Sequence, residues 1–253
     1  MSRSLLISIS ATDGFPLAAT LFEPSSEPKA VVVISAATAV SRKYYAAYAR
    51  FVMSQGFVVV TYDYRGIADS RNTAPLDTRA VRMRHWGERD LAGVIEAMHT
   101  RYPKLPMAAV GHSVGGQLLG LAANNLRVAA QLGLAAQSGY WAHWPLPRRL
   151  RMVWLWHVTL PVIATLLGKI PASLMGGEIP AGVALEWARW GRNPHYFCDD
   201  AGQPLREHFE QYRGQMRFIA ISDDHEFAPH PAVLALTRIY CNAKNPEPVW
   251  WRR

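Results

Sequence analysis

Two short stretches near the start of the chain alternate apolar and polar positions. Leu5 to Ile9 and Leu17 to Phe22 are separated by Asp13-Gly14, a turn pair, and the pattern predicts an antiparallel hairpin. The pattern then changes. Ala30 to Ser35 is a continuous, mostly β-branched run, as expected of a strand buried on both faces. Tyr44, Tyr48, Phe51, Val52 and Gln55 recur at helical spacing, and Gly56 ends that helix. Phe57 to Tyr62 reads as a second buried strand. Leu91, Val94, Ile95 and Met98 mark another helix, Met107 to Val110 a third strand, and Gln117 to Ala123 the start of a third helix. Val128 to Ala136 fits a fourth strand. This alternation predicts an α/β fold: a mostly parallel sheet with helices on both faces.

Between Gly139 and Gln215 the rhythm breaks. Six tryptophans fall here (Trp141, Trp144, Trp154, Trp156, Trp187 and Trp190), together with several prolines. The expected organisation is a sheet core formed by residues 1–138 and 216–253, with a helical lid, residues 139–215, inserted above it. Met216 to Ser222 resumes the strand pattern, and Ala232 to Tyr240 is a further helix.

Half of the 253 residues are hydrophobic, which suits a large core and argues against disorder. The formal charge of +8 would attract anionic surfaces, but the arginines are scattered and no nucleic-acid motif accompanies them. Nucleic acid is therefore not an expected partner. Cys198 and Cys241 lack metal-ligand or redox spacing and read as ordinary thiols; no metal or cofactor is implied. The apolar run at the N-terminus is too short for a signal-peptide core, which makes the cytoplasm the default location. Met152 to Gly168 is the longest apolar stretch, and Arg148, Arg149 and Arg151 precede it. It reads as a buried or lid helix, with contact to a membrane or lipid-like substrate as the alternative.

The chemistry centres on Gly111-His112-Ser113-Val114-Gly115, set between a predicted strand and a predicted helix. In that context the motif is a sharp turn. It forces the serine into a strained conformation and presents its hydroxyl at the strand's carboxyl end, above a helix N-terminus. Gly111 and Gly115 leave room for the chain to pass itself, and Gly116 lets helix and strand pack closely.

With GHSVGG at 111–116, DYRG at 63–66, SDD at 222–224, the WGERDL run from Trp86 and ALEWARW at 184–190, the chain resembles the α/β-hydrolase superfamily over nearly its whole length. Within it the chain is similar to a bacterial branch of predicted hydrolases near the serine aminopeptidase-like and esterase-like members. The resemblance implies Ser113 as nucleophile and an oxyanion hole of two backbone N–H groups. One belongs to Val114. The other comes from the loop Ser35-Ala36-Ala37-Thr38, where Ala37 is favoured. Asp63 and Arg65 look like a structural pair at a strand end. The acid should follow the strand Met216–Ser222, and spacing to Pro229 favours Asp224 over Asp223.

The triad order in this superfamily is Ser, Asp, His, and here the histidine is the difficulty. Only His225 and His230 follow Asp224, both too close for the usual loop. His112 belongs to the elbow, and His85, His99, His143, His157, His195 and His208 precede the acid. Two explanations stand: a last strand and final helix lost from the C-terminus, or a base replaced. The expected function is hydrolysis of a carboxylic ester, or an amide, through an acyl-enzyme on Ser113. The substrate would be a small molecule with an apolar acyl group, and activity would be impaired by the missing base. A non-catalytic binding protein and an acyltransferase are the alternatives.

Overall fold

The computed structural model describes residues 2–251. The hairpin forms from β1 (Arg3–Ser10) and β2 (Pro16–Glu23), paired antiparallel around the Asp13-Gly14 turn, where Gly14 has φ of 84°. Next come β3 (Val31–Ser35), α1 (Ala46–Ser54) and β4 (Val58–Tyr62). Every position of β3 and β4 is buried, as their unbroken apolar runs require. A short turn α2 (Met83–His85) and a π-turn, Trp86–Leu91, lead into α3 (Ala92–Arg101); β5 (Met107–His112), α4 (Val114–Gln117) and β6 (Val128–Leu134) follow.

An insertion then precedes the next long strand. It holds α5 (Arg148–Trp154) and α6 (Leu160–Leu167), which run together through a π-turn as one 20-residue helix, Arg148–Leu167. A two-residue strand β7 (Lys169–Ile170), α7 (Ala172–Met175), its partner β8 (Ile179–Pro180), α8 (Ala181–Arg192) and α9 (Glu207–Gln211) complete it. The chain returns as β9 (Gln215–Ile221), α10 (His230–Thr237) and β10 (Val249–Trp251).

The eight-stranded sheet has the order β1-β2-β4-β3-β5-β6-β9-β10. Only the β1/β2 and β2/β4 pairings are antiparallel. The C-terminal ends of β3, β5 and β6 therefore converge on one rim, where a parallel sheet places its ligand-binding loops. At the outer edge a last strand is formed, with Val249–Trp251 pairing parallel to Ile219–Ile221 and all three residues exposed.

One expectation changes and two are filled in. The helix after the elbow begins at Val114, not Gln117, and gives way to a 3₁₀ turn at Leu118–Leu121. The bond that would continue it, Gly120 N–H to the Gly116 carbonyl, is replaced on both sides. Gly120 donates to Tyr240 Oη (2.9 Å) and the Gly116 carbonyl accepts from Gln131 Nε2 (2.8 Å). Around α1, the aromatic stripe Tyr44, Tyr48 and Phe51 faces solvent, while Tyr45 and Ala49 face the core. Finally, Asp63 and Arg65 do not pair with each other. Asp63 holds the Arg42 guanidinium and accepts from the Arg42 amide (2.6 Å). Arg65 spans Asp90 (Nε to Oδ1, 2.7 Å) and Asp13 (Nη1 to Oδ2, 2.7 Å), tying the hairpin turn to the π-turn.

Candidate active site

Ser113 is the first residue beyond β5, with φ of 51° and ψ of −120°. A β-carbon in this region is sterically strained, and the surroundings hold it there. The Ser113 amide donates to the Leu134 carbonyl at the end of β6 (2.9 Å), and the Ser113 carbonyl accepts from Gly116 (3.0 Å). Three glycines make the turn possible. A β-carbon on Gly111 would strike the backbone of Gly115 and Gly116, one on Gly115 would strike the Ser35 carbonyl, and one on Gly116 would lie 2.5 Å from Ala136 Cβ. The elbow is thus wedged beneath the loop that follows β3.

Val114 opens α4, so its N–H is among those a helix's first turn leaves without an intrahelical partner. The Ala37 amide is in a different state. It donates to Tyr45 Oη (2.9 Å), which also lies 2.9 Å from His112 Nδ1. Burial pushes the Tyr45 phenol up to about 12 and the His112 imidazole down. A substrate oxygen would have to displace the Tyr45 hydroxyl to reach Ala37. Beside it, Thr38 Oγ1 is buried and has no hydrogen-bond partner among the described residues. Sequence reasoning missed Tyr45: its neighbours at helical spacing drew attention to the opposite face.

Asp224 lies just beyond β9. Its carboxylate accepts three backbone N–H groups, from Glu226 (3.2 Å), Phe227 (2.8 Å) and Ala228 (3.1 Å), so it shapes the loop leading to α10. It lines a cavity of about 480 Å³ together with His143, His225, His230 and Trp250. His230 stacks on Trp250 with ring centroids 3.9 Å apart. Among the described residues no histidine hydrogen-bonds Asp224, and none hydrogen-bonds the Ser113 hydroxyl. The structure brings Ser113, Val114 and the loop carrying Ala37 together. It gives Asp224 backbone partners only.

The inserted segment approaches the same rim. Tyr196 donates to Gln117 Oε1 (3.1 Å), four residues beyond Ser113, and Gly177 packs against the Ala39 carbonyl, two residues beyond Ala37. Its tryptophans divide: Trp144, Trp156 and Trp190 are buried, Trp141 and Trp187 half-buried, and Trp154 exposed.

The parallel sheet, its hairpin edge and a serine held at positive φ between β5 and α4 define an α/β-hydrolase fold. The chain belongs to the Hydrolase_4 family, described as serine aminopeptidase S33, whose pattern matches residues 26–201. Solved structures of similar fold include DcsB in complex with its substrate analogue (15% identity, TM-score 0.66, covering 99% of this chain and 90% of that one). An esterase domain from a Rhodothermus marinus protein is 18% identical (TM-score 0.61, 99% and 87% covered). A thermostable carboxyl esterase from Bacillus coagulans in complex with glycerol is 13% identical (TM-score 0.61, 99% and 90% covered). Among curated proteins none matches.

Proposed function

We propose that the chain is a serine hydrolase acting on a small carboxylic ester through Ser113. The observation that carries this reading is the Ser113 backbone, held at φ 51° at the tip of β5 by glycines with no room for a side chain. In the reaction Ser113 Oγ attacks the acyl carbonyl, its proton passes to the departing alkoxide, and water then cleaves the acyl-serine ester. The Val114 amide and the loop donor at Ala37 stabilise the developing oxyanion, with the unused Thr38 hydroxyl beside them. The insertion, residues 139–215, acts as a lid that shapes an apolar acyl pocket. Its contacts at Gln117 and Ala39 support that role.

On this reading the serine, with no imidazole bonded to it among the described residues, works without general-base activation. Removing a triad member leaves about 10³ to 10⁴ of acceleration over water, from the oxyanion hole and binding, so turnover should be weak. That same observation favours a second reading, a binding protein that keeps the pocket without the chemistry. A fluorophosphonate probe separates them. Labelling of the folded chain that disappears in Ser113→Ala, with p-nitrophenyl ester hydrolysis lost in parallel, supports the hydrolase. Folded protein that never labels supports the binding protein. Full turnover retained in Ser113→Ala would remove Ser113 from the reaction.

A further inference from the structure

The helix Arg148–Leu167 is apolar on two opposite faces. Trp156, Leu160 and Ala164 are buried, and Trp156 packs on Trp187 with ring centroids 5.0 Å apart. Leu150 (64%), Trp154 (63%), Val162 (47%) and Leu166 (75%) are exposed. Stripes offset by two residues lie roughly 200° apart around a helix. One face is therefore core, and the other is a row of large apolar side chains that water covers. Exposed Leu167 closes the row at the helix C-terminus, and exposed Leu146 and Leu174 extend it beyond both ends. The helix is long and apolar enough to cross a membrane, but its inner face is part of the folded core, so it can meet a bilayer only by lying in its plane.

Charge says what kind of surface it meets. Residues 97–177 contain no Asp or Glu. At one end of the helix Arg148 and Arg151 share the single carboxylate of Glu226, and Arg149 bonds only to the Trp144 and Ala142 carbonyls. Toward the other end Lys169 and Arg71 share Glu178. Surplus cations thus bracket the apolar row, with a tryptophan on it, the arrangement of an in-plane helix held by anionic headgroups. A second copy of the chain docked on this face would set those cations against one another.

We infer that the outer face of Arg148–Leu167 docks this protein onto an anionic lipid surface. The inference is independent of whether Ser113 turns over. Co-sedimentation tests it, using vesicles of phosphatidylcholine alone and of phosphatidylcholine with phosphatidylglycerol. The chain should partition onto the second kind, less so as salt rises. Trp154→Ser combined with Leu166→Ser should lower that partition at least about tenfold at an unchanged melting temperature, since both side chains are already in water. Leu150→Ser is an independent variant with the same expectation. Absence of binding to the anionic vesicles, equal binding to the neutral ones, or undiminished binding by the folded variants would overturn the inference. So would a concentration-dependent dimer in analytical ultracentrifugation that Trp154→Ser dissociates.

Discussion

Tyr45 holds the amide that the oxyanion hole would need. Its hydroxyl accepts the Ala37 N–H and meets His112 Nδ1, both at 2.9 Å, and burial keeps the phenol neutral. The phenolic oxygen has capacity both to accept from Ala37 and to donate to or accept from His112 Nδ1, according to the His112 tautomer. Tyr45→Phe removes the acceptor and leaves the Ala37 N–H without its buried partner, a loss of about 1–3 kcal/mol of stability. The same change frees that N–H for a substrate oxygen. We therefore expect opposite signs from the two measurements: a lower urea midpoint, and faster labelling of Ser113 by a fluorophosphonate. Slower labelling in a folded variant would mean that Ala37 is not the donor. The elbow at Ser113 was legible in the sequence because its signature is local, a strand, three glycines and a helix within the eleven residues Met107–Gln117. Tyr45 was not, because its role depends on Ala37 and on His112, 67 residues away. Asp63 and Arg65 do hold the strand end, as expected of them, but through partners the local sequence does not reveal: Arg42, Asp90 and Asp13, from other elements.

At the scale of elements, the strand–elbow–helix unit is rigid because its glycines touch backbone. A methyl on Gly115 meets the Ser35 and Ala36 carbonyls, which belong to the end of β3 and the loop beyond it and cannot rotate away. Gly115→Ala should cost about 3 kcal/mol, the upper range for overpacking, and should also suppress Ser113 labelling by displacing the loop that carries Ala37. Gly14→Ala is the control. It has a left-handed φ of 84° but open space around it, so its cost is conformational, about 1 kcal/mol, and labelling should not change. Comparable losses for the two variants, read from urea midpoints, would show that the elbow is not tightly wedged. Elements of this kind were readable wherever burial is complete: β3 and β4 appear where the unbroken apolar runs stand. On α1 periodicity found the helix but not its orientation, since it detects an apolar stripe without saying whether a core or the solvent faces it. Inside the insertion the tryptophans marked a break in the pattern, but three of the six are buried, Trp156 and Trp190 in the core shared with the sheet and Trp144 with its Nε1–H on the Glu226 carbonyl, so their number is not a count of acyl-pocket residues.

At the scale of the whole molecule, acid acts on buried histidines and buried carboxylates with opposite signs: burial lowers His85, and burial raises Asp63, Glu88, Glu186 and, to about 6, Asp90. His85 is lowered to about 4 from 6.5, first by burial and then by the charges of Arg89, Arg65, Arg84 and Arg82; burial also lowers His112 and His143. Geometry agrees for His85, whose Nδ1 accepts the Arg82 N–H (3.2 Å), a bond that a protonated ring could not accept. A histidine with a depressed pKa is neutral when folded and charged when unfolded over the interval between the two values. The unfolded state then binds more protons, so stability rises with pH across that interval and is lost as pH falls from 6.5 through about 4. Asp13, held below the usual carboxylate range by its hydrogen bonds to Arg65, has the same sign, but its contribution is lost only below the carboxylate value of 3.8. The two windows are therefore separable. Each imidazolium would also add to a chain already carrying a formal charge of +8, which raises self-repulsion in the compact state. Across this window the raised carboxylates, Asp90 foremost, gain stability as pH falls while His85 loses it, so the difference in urea midpoint between the native chain and a His85 variant isolates the histidine. Relative to the native chain, His85→Gln should gain about 1 kcal/mol between neutral pH and the lower end of the histidine window, after discounting the shift for the ring's partial exposure, because glutamine does not titrate. If the midpoints of the variant and the native chain change in parallel across this window, His85 is not held neutral and the pH dependence there must lie with His112, His143 or the carboxylates.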